Sequence, residues 1–262
     1  MGRSIFAVLT AYTLLLLFVP SCDYVSLQGR SNDEVVSIPE YSGALKIWTG
    51  GDSITAAWES YRCRIWESMT EAGDEIDFVG TVHQETNQFN RNPDEDHDGH
   101  GGYTIAAWRE EFSDTDNGNL EMMQEEDPDV LLLMLGTNDL AWWVPNDDIA
   151  QTTTDNMMSL VDQLFAWFPD MAIIVGTIPP MAEKAINATG RNRAEYAEQY
   201  RALLMNTVKS DARYGSSLFL ADIFSTLTID DLGDGIHPTS EGHDKMAVEW
   251  LKALSTYIKT RN

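Results

Sequence analysis

The amino-acid sequence predicts an α/β fold built on a parallel β-sheet. From residue 44 to the C-terminus, short apolar runs alternate with longer helix-like stretches, which is typical of strand–helix–strand units with right-handed crossovers. One run, residues 130–135, is continuously apolar (Val-Leu-Leu-Leu-Met-Leu), as expected for a central strand covered on both faces. The 262 residues, 43% of them hydrophobic, can build a sizeable core.

Five strands and five helical stretches follow one another along the chain. The strands are predicted at 45–48, 76–79, 130–135, 172–175 and 218–221, and the helices near 54–72, 103–112, 147–168, 191–213 and 239–259. Together they predict a three-layer α/β/α flavodoxin-like sandwich with a central five-stranded parallel sheet. In open parallel sheets, sites form beyond the carboxyl ends of the strands. The loops after the first, third and fifth strands are therefore the places to search.

The N-terminus differs from the rest of the chain. Arg3 precedes an uncharged and mostly apolar stretch, residues 4–22, which is typical of a secretory signal. A transmembrane anchor is the alternative, but the stretch is short and contains polar residues. Residues 19–22 (Val-Pro-Ser-Cys) also resemble a bacterial lipoprotein box, in which Cys22 would become the lipidated first residue.

These observations divide the chain into three segments. We expect a signal peptide over residues 1–21, a flexible tether over 22–42 and one folded domain over 43–262, in a protein that is secreted or held at the cell surface. The chain has two cysteines, Cys22 and Cys63. If Cys22 is removed or lipidated, no disulfide within the chain is possible.

The charge of the chain limits its partners. The formal net charge is −25, which repels phosphate backbones and anionic membranes, so nucleic acid is not an expected partner. A neutral or cationic substrate, or a salty medium that screens self-repulsion, fits this charge. Solubility alone would also explain it.

Ser53 stands in the first of the three loops. It follows a strand, two glycines and an aspartate (Gly50-Gly51-Asp52-Ser53) and is predicted to open a helix. Glycines let the backbone turn sharply, and the N-terminus of a helix offers N–H groups to an anion. Ser53 is either a nucleophile whose own N–H faces an oxyanion or an ordinary N-cap serine.

Two other loops carry residues suited to stabilise an oxyanion. Asn138 follows the apolar strand 130–135, and its amide can donate a hydrogen bond to developing negative charge. The alternative is a turn asparagine. Gly102 lies before the helix near 103–112, where it either lends its backbone N–H to the same hole or serves as a turn glycine.

Asp234 and His237 lie three residues apart in a loop, and Pro238 follows. A histidine base needs a carboxylate that orients its ring and stabilises the imidazolium, and this spacing can place both on one side of a turn. The alternative is a surface histidine before a helix begun by Pro238. His97 and His100 compete as bases, but no comparable carboxylate pattern ties them to a nucleophile.

Taken in order, four blocks resemble those of the SGNH (GDSL) hydrolase superfamily: Gly51-Asp52-Ser53-Ile54, Gly101-Gly102-Tyr103-Thr104, Gly136-Thr137-Asn138-Asp139 and Asp234-Gly235-Ile236-His237-Pro238. The resemblance implies that residues 43–262 form an SGNH hydrolase domain, with Ser53 as nucleophile and Asp234 and His237 as its dyad. It also implies an oxyanion hole made by the N–H groups of Ser53 and Gly102 and the amide of Asn138. The implied activity is that of a serine esterase that forms an acyl-enzyme and requires no cofactor.

A narrower resemblance points to carbohydrate esterase family 3, which removes acetyl groups from plant polysaccharides such as xylan. It is carried by segments at 61–62, 77–80, 98–104, 128–132, 178–180 and 237–247. Two positions depart from that family: Gly101 replaces a usual serine, and Cys63 stands where glycine is usual. The resemblance implies an acetylated carbohydrate, of acetylxylan type, or a small acetyl ester as substrate.

Large aromatic residues lie beside these blocks. Trp142 and Trp143 directly follow the Asn138 block, Tyr103 adjoins Gly102, and Trp58 lies on the stretch after Ser53. The two adjacent tryptophans either form a platform for a sugar ring or pack in the core. Bulky side chains near the oxyanion hole would admit an acetyl group and exclude a long acyl chain, unless they face the core instead.

An acidic cluster resembles the opening of a calcium-binding EF-hand loop. Asp94, Asp96 and Asp98 are followed by Gly99, but the closing glutamate of such a loop would fall on Ile105. The alternatives are a structural Ca²⁺ and a solvated acidic loop.

Three other functions stay open. The same residues would serve a lipase, thioesterase or phospholipase, which a pocket for long acyl chains would distinguish. A carbohydrate-binding surface protein without catalysis would have lost a catalytic residue, and none is lost here. Transfer of an acetyl group to a sugar differs from hydrolysis only in the acceptor.

Overall fold

The computed structural model describes residues 36, 38–39, 41–58, 60–83, 94, 96–114, 116, 118–141, 148–183 and 192–261. Its strands are β1 (Leu45–Gly51), β2 (Ile76–Val79), β3 (Val82–His83), β4 (Asp96–Gly99), β5 (Val130–Met134), β6 (Ala172–Gly176) and β7 (Leu218–Ala221). Its α-helices are α1 (Ser53–Ala56), α2 (Tyr61–Ala72), α3 (Ile105–Ser113), α4 (Asn119–Glu126), α5 (Thr137–Ala141), α6 (Ile149–Trp167), α7 (Arg193–Ser210) and α8 (Ser240–Arg261). Two short 3₁₀ helices, Ile223–Thr226 and Ile229–Asp231, precede α8.

The predicted parallel sheet is confirmed. β1 pairs in parallel with β2 on one side and with β5 on the other, and β6 and β7 continue in parallel from β5. The order β2-β1-β5-β6-β7 therefore contains the five predicted strands. Every residue of β5 and β6 is buried, which explains why these two segments are apolar throughout rather than alternating.

Strands β3 and β4 enlarge this sheet beyond what the sequence predicts. β2 pairs with the first half of β1, and β4 then takes the same side of β1 at its end, where Gly50 faces Asp98 and Gly51 faces Gly99. β3 pairs antiparallel with β4. The sequence Asp-His-Asp-Gly of β4 lacks the apolar and β-branched residues that mark a strand. Backbone pairing with β1 stabilises it instead.

Helices cover both faces of the sheet and complete the predicted three layers. On one face Trp108 of α3 lies over Gly50, together with side chains of β5 that point to that side. On the other face Trp250 of α8 lies over Gly176, beside Met134. α2 packs against α8, whereas α3 and α7 pack against α6. A Cβ atom at Gly50 or Gly176 would stand only 2.9 or 2.6 Å from these indoles, so both helices approach the sheet closely.

The helices differ from the sequence prediction in three places. The helix expected over 54–72 is interrupted between Ala56 and Tyr61, because Ser60 caps a new helix by accepting a hydrogen bond from the Arg62 N–H. The sequence does not predict α4 or α5, because their eight and five residues are few for a periodic pattern to be recognised.

The N-terminal predictions mostly lie outside the described residues. These are the signal peptide over 1–21, the lipidation site at Cys22 and most of the tether over 22–42. The described end of that tether belongs to the folded unit, since Val36, Ile38 and Tyr41 pack against its core. The Tyr41 hydroxyl donates to the Asp129 carboxylate at 3.0 Å. Among the described residues, no helix combines the length and apolarity needed to cross a bilayer.

Candidate active site

Ser53 lies at the carboxyl end of the central strand β1, on the first residue of α1. Glycine is required at position 51, two residues before Ser53, because a Cβ atom there would stand 2.8 Å from the Met134 carbonyl oxygen. Asp52 caps α1 by accepting a 2.9 Å hydrogen bond from the Ile54 N–H. Its carboxyl group is fully buried, and this burial raises the pKa of Asp52 to about 6. These contacts fix the backbone that carries the half-buried Ser53 side chain.

The structure brings Ser53, His237 and Asp234 together in one hydrogen-bonded chain. The Ser53 Oγ and His237 Nε2 atoms are 2.9 Å apart, and His237 Nδ1 is 2.8 Å from Asp234 Oδ2. The other Asp234 oxygen accepts hydrogen bonds from the backbone N–H groups of His237, at 2.8 Å, and Ile236, at 2.9 Å. These backbone donors, together with the imidazole, hold the pKa of Asp234 well below its usual range. Asp234 is therefore a carboxylate at any pH near neutrality.

The loop that carries Asp234 and His237 is tied at its base. The Gly233 N–H donates to the His237 carbonyl at 2.9 Å, which closes the loop on itself. Below it, Asp231 accepts a 2.5 Å hydrogen bond from Lys245 of α8, and its backbone carbonyl accepts the Thr239 N–H at 2.8 Å. The loop is thus held between a 3₁₀ helix and the start of α8.

The predicted oxyanion residues lie on two loops that are joined to each other. Gly136 turns the chain after β5 with a φ of +120°, and Tyr200 packs so closely on it that a Cβ atom would stand 2.7 Å from the ring. Asn138 follows on α5, and its Nδ2 donates to the Tyr103 carbonyl at 2.8 Å. Gly102 precedes that carbonyl with a φ of +83°, a conformation that glycine adopts without strain. The hydrogen bond from Asn138 therefore fixes the Gly102 turn and the amide in one arrangement.

A second carboxylate–imidazole pair supports the Gly102 turn. Asp98 is fully buried on β4, and its Oδ1 lies 2.8 Å from His100 Nε2. The His100 backbone N–H donates to the Gly51 carbonyl at 3.0 Å, and its ring stacks on Tyr103 with 4.7 Å between the ring centroids. Although burial opposes it, the hydrogen bond to Asp98 raises the pKa of His100. His100 thus braces the backbone on both sides of the turn.

The pairing of His100 with Asp98 is not predicted from the sequence, in which His100 is an alternative base. His100 has Asp98 as its carboxylate partner, but its ring does not hydrogen-bond to Ser53 as a catalytic base would. A signal for the pair is that Asp98 and His100 lie two residues apart where β4 ends at Gly99, so that both side chains can point to the same side. His97 precedes Asp98 on β4 with its ring buried, and burial lowers the pKa of His97 to about 3.

We expect His100→Ala to lower kcat about tenfold with little change in KM, since a displaced oxyanion turn weakens binding of the transition state more than that of the substrate. Steady-state kinetics on an acetyl ester measures this. His83→Ala is the matched control, because His83 also pairs with an aspartate, Asp96 at 2.6 Å, but within the described part of the chain it does not contact the turn. An effect confined to KM would place His100 at the substrate instead.

The aromatic residues predicted near the site differ in where the structure places them. Trp142 and Trp143 lie outside the described residues, so their proposed sugar platform stays a prediction. Tyr103 is half-buried, and its hydroxyl donates to Glu111 at 3.2 Å. Trp58 is 54% exposed, so it does not pack in the core, and its predicted place near the acyl group stays a prediction. The break between α1 and α2 turns this residue outward.

The three aspartates of the predicted calcium loop have separate protein partners. Asp94 accepts the Phe78 N–H at 2.6 Å, Asp96 contacts His83, and Asp98 contacts His100 and Thr81. Within the described part of the chain, no group of three or more His, Cys, Asp or Glu side chains is placed to hold a metal ion. The calcium site stays a prediction for which these residues supply no donor set.

The arrangement can perform acyl transfer. An imidazole 2.9 Å from a serine oxygen can accept its proton, and a carboxylate on the other ring nitrogen stabilises the imidazolium that results. Donors on two adjoining loops lie at the same edge of the sheet as this serine, where an oxyanion would form.

Comparison with known proteins agrees with this geometry. Residues 50–245 match the GDSL-like lipase/acylhydrolase family. A multidomain esterase of Ruminococcus flavefaciens is 31% identical over 237 residues, which cover 83% of this chain and 29% of that protein. The chain therefore spans under a third of the length of this relative.

Two solved structures are similar along most of the chain. A carbohydrate esterase family 3 protein from Talaromyces cellulolyticus has 26% identity and a TM-score of 0.63, covering 82% of this chain and 98% of that one. An acetyl esterase crystallised with an acetate ion has 26% identity and a TM-score of 0.64, covering 83% and 100%.

Proposed function

The chain belongs to the GDSL-like lipase/acylhydrolase family, and from this premise we propose that it is a serine esterase that removes acetyl groups from a polysaccharide of acetylxylan type or from small acetyl esters. The observation that carries the proposal is the hydrogen-bonded chain from Ser53 through His237 to Asp234. That the protein is a carboxylic ester hydrolase follows from its family and its esterase relative. The acetyl group and the carbohydrate are the proposed parts.

The proposed reaction has two steps. His237 takes the proton of Ser53 as the serine oxygen attacks the ester carbonyl, and the oxyanion is held by the N–H groups of Ser53 and Gly102 and by the Asn138 amide. The C–O bond to the alcohol breaks as His237 protonates that oxygen, which leaves an acyl-enzyme. Water, deprotonated by His237, then attacks this ester, and Ser53 is released together with the free acid.

The exposure of the dyad favours a polymeric substrate. The His237 and Asp234 side chains are 48% and 59% exposed, so the catalytic base lies at the surface and not at the bottom of a deep pocket. An ester on the side of a long carbohydrate chain can reach such a base, whereas a long acyl chain gains affinity only where a pocket buries it. The similar acetyl esterase with acetate bound and the family 3 carbohydrate esterase support the same choice.

The fixed position of Tyr103 supports the proposed acetyl preference. The Tyr103 ring adjoins Gly102 and is held by stacking on His100 and by the hydrogen bond to Glu111. A ring fixed on both sides does not swing away to admit a longer chain.

A panel of esters of increasing acyl length tests this proposal. Each methylene that finds no apolar surface forfeits roughly 0.8 kcal/mol of burial, so we expect kcat/KM for acetyl esters to exceed that for butyryl esters about tenfold or more, with octanoyl esters hardly cleaved. The measurement is hydrolysis of p-nitrophenyl acetate, butyrate and octanoate, with acetylated xylan alongside. A rate that rises steadily with acyl length would favour a lipase-like function. If acetate were not released from acetylated xylan, that polysaccharide would be rejected as the substrate.

A further inference from the structure

Trp58 is a large apolar side chain that the fold holds in solvent close to Ser53. It is 54% exposed, whereas Trp48, Trp108 and Trp250 are completely buried. Exposing an indole forgoes the stabilisation that its burial would give, so a tryptophan at the surface is a common mark of a binding site.

The loop around Trp58 is anchored and not loose. The buried Arg62 guanidinium donates through Nε to the Thr55 carbonyl at 3.2 Å, before the loop, and to the Ser60 hydroxyl at 3.0 Å, after it. The Trp58 carbonyl itself accepts the Cys63 thiol at 3.6 Å. An indole carried on a backbone fixed in this way loses little entropy when a ligand packs on it.

The position of Trp58 along the chain keeps it near the nucleophile. Ser53 and Ala56 lie within one short helix, and two further residues lead to Trp58, so the two Cα atoms are separated by no more than about 13 Å. An oligosaccharide of a few sugar units can therefore reach from the indole to an ester bound at Ser53.

The residues that follow Trp58 pack against the start of α8, the helix that His237 precedes in the chain. Tyr61 begins α2 three residues after Trp58, and its ring centroid is 6.4 Å from that of His243 on the first turn of α8. The chain reaches α8 directly from His237. In the proposed reaction His237 protonates the departing oxygen, so we place the alcohol part of the ester toward the start of α8.

From these observations we propose that Trp58 forms a subsite for a neutral pyranose ring of the alcohol part of the substrate, next to the acetylated sugar. The apolar C–H face of a pyranose matches the indole face in size, and a ligand without charge is not repelled by a chain of net charge −25. This inference rests on the proposed function, since it assumes that the ester is carried by a carbohydrate.

Binding to an inactive variant tests the subsite without catalysis. We expect Ser53→Ala protein to bind acetylated xylo-oligosaccharides, and the Ser53→Ala/Trp58→Ala double variant to bind them about tenfold more weakly in isothermal titration calorimetry. Tyr214→Ala in the same Ser53→Ala background is the matched control. Tyr214 is an equally isolated exposed aromatic, 43% exposed, but it lies beside the first residue of β7, at the opposite end of the sheet. Equal affinity of the Trp58 variant and its parent would overturn the proposal.

Kinetics with the active enzyme separates failure of the subsite from failure of the proposed function. Trp58→Ala should lose about tenfold more kcat/KM on acetylated xylo-oligosaccharides than on ethyl acetate, which carries the same acyl group without a ring. Equal losses on both substrates would overturn the subsite and assign the loop a role in holding Ser53. Wild-type enzyme that cleaves ethyl acetate but not the oligosaccharides would reject the carbohydrate itself, and wild-type enzyme that cleaves neither would reject the proposed function.

Discussion

Ser53→Ala is expected to lower kcat for ester hydrolysis by about 10⁴-fold or more, because no other group can form the acyl-enzyme. The fold should remain, since the contact recorded for the Ser53 hydroxyl is the one with His237. Loss of a half-exposed hydroxyl changes the free energy of unfolding by about 1 kcal/mol or less. The measurements are hydrolysis of p-nitrophenyl acetate and thermal unfolding followed by circular dichroism.

Two controls accompany this variant. Ser113→Ala removes an exposed serine at the end of α3, whose hydroxyl donates to the Arg109 carbonyl, and it should leave hydrolysis unchanged. A fluorophosphonate probe should attach to Ser53 in the wild-type protein and not in Ser53→Ala. Near-wild-type turnover by Ser53→Ala, or labelling at another serine, would make the assignment wrong.

Asn138→Ala should have the next largest effect. Removing one donor of an oxyanion hole costs about 10²–10³-fold in kcat, while KM should change little because the hydrogen bond strengthens in the transition state. The change also removes the 2.8 Å hydrogen bond to the Tyr103 carbonyl, so a loss of about 1 kcal/mol in the free energy of unfolding accompanies it. Steady-state kinetics well below the melting temperature keeps the two effects apart.

Asn119→Ala provides the comparison for Asn138→Ala. Both asparagines are 8% exposed and lie at the start of a helix, but Asn119 begins α4, outside the candidate site. Its replacement should affect stability and not kcat. If Asn138→Ala changed KM alone, Asn138 would have a role in binding substrate and not in stabilising the oxyanion.

The parallel sheet could be predicted because its strands are buried on both faces. Residues 130–135 and 172–175 are apolar without interruption, and burial of every residue in β5 and β6 is the physical cause. β4 could not be predicted in this way, because its charged side chains are stabilised by partners that sequence does not reveal. Asp98, for example, is fully buried against His100.

The catalytic residues of the candidate site could be predicted from the sequence, but the position of Trp58 could not. Ser53, Asn138 and the Asp234–His237 pair were identified because each follows a strand or a glycine turn in a fixed order, and the structure brings them to one edge of the sheet. The outward position of Trp58 was not predictable, since helical spacing runs through residues 54–72 and hides the break. That break depends on Ser60 and on the buried Arg62, whose contacts exist only in the folded chain.

The loop from Gly233 to Pro238 contains both the base and the carboxylate that orients it, closed by its own backbone hydrogen bond. A thermal fluctuation of this segment therefore moves imidazole and carboxylate as one body and leaves the contact between them intact. Such a fluctuation changes the distance between this loop and Ser53. The activity therefore depends on how firmly this loop is held against Ser53, which falls to the contacts of Asp231 with Lys245 and Thr239 and to the hydrogen bond from the Ala182 N–H to the Gly235 carbonyl.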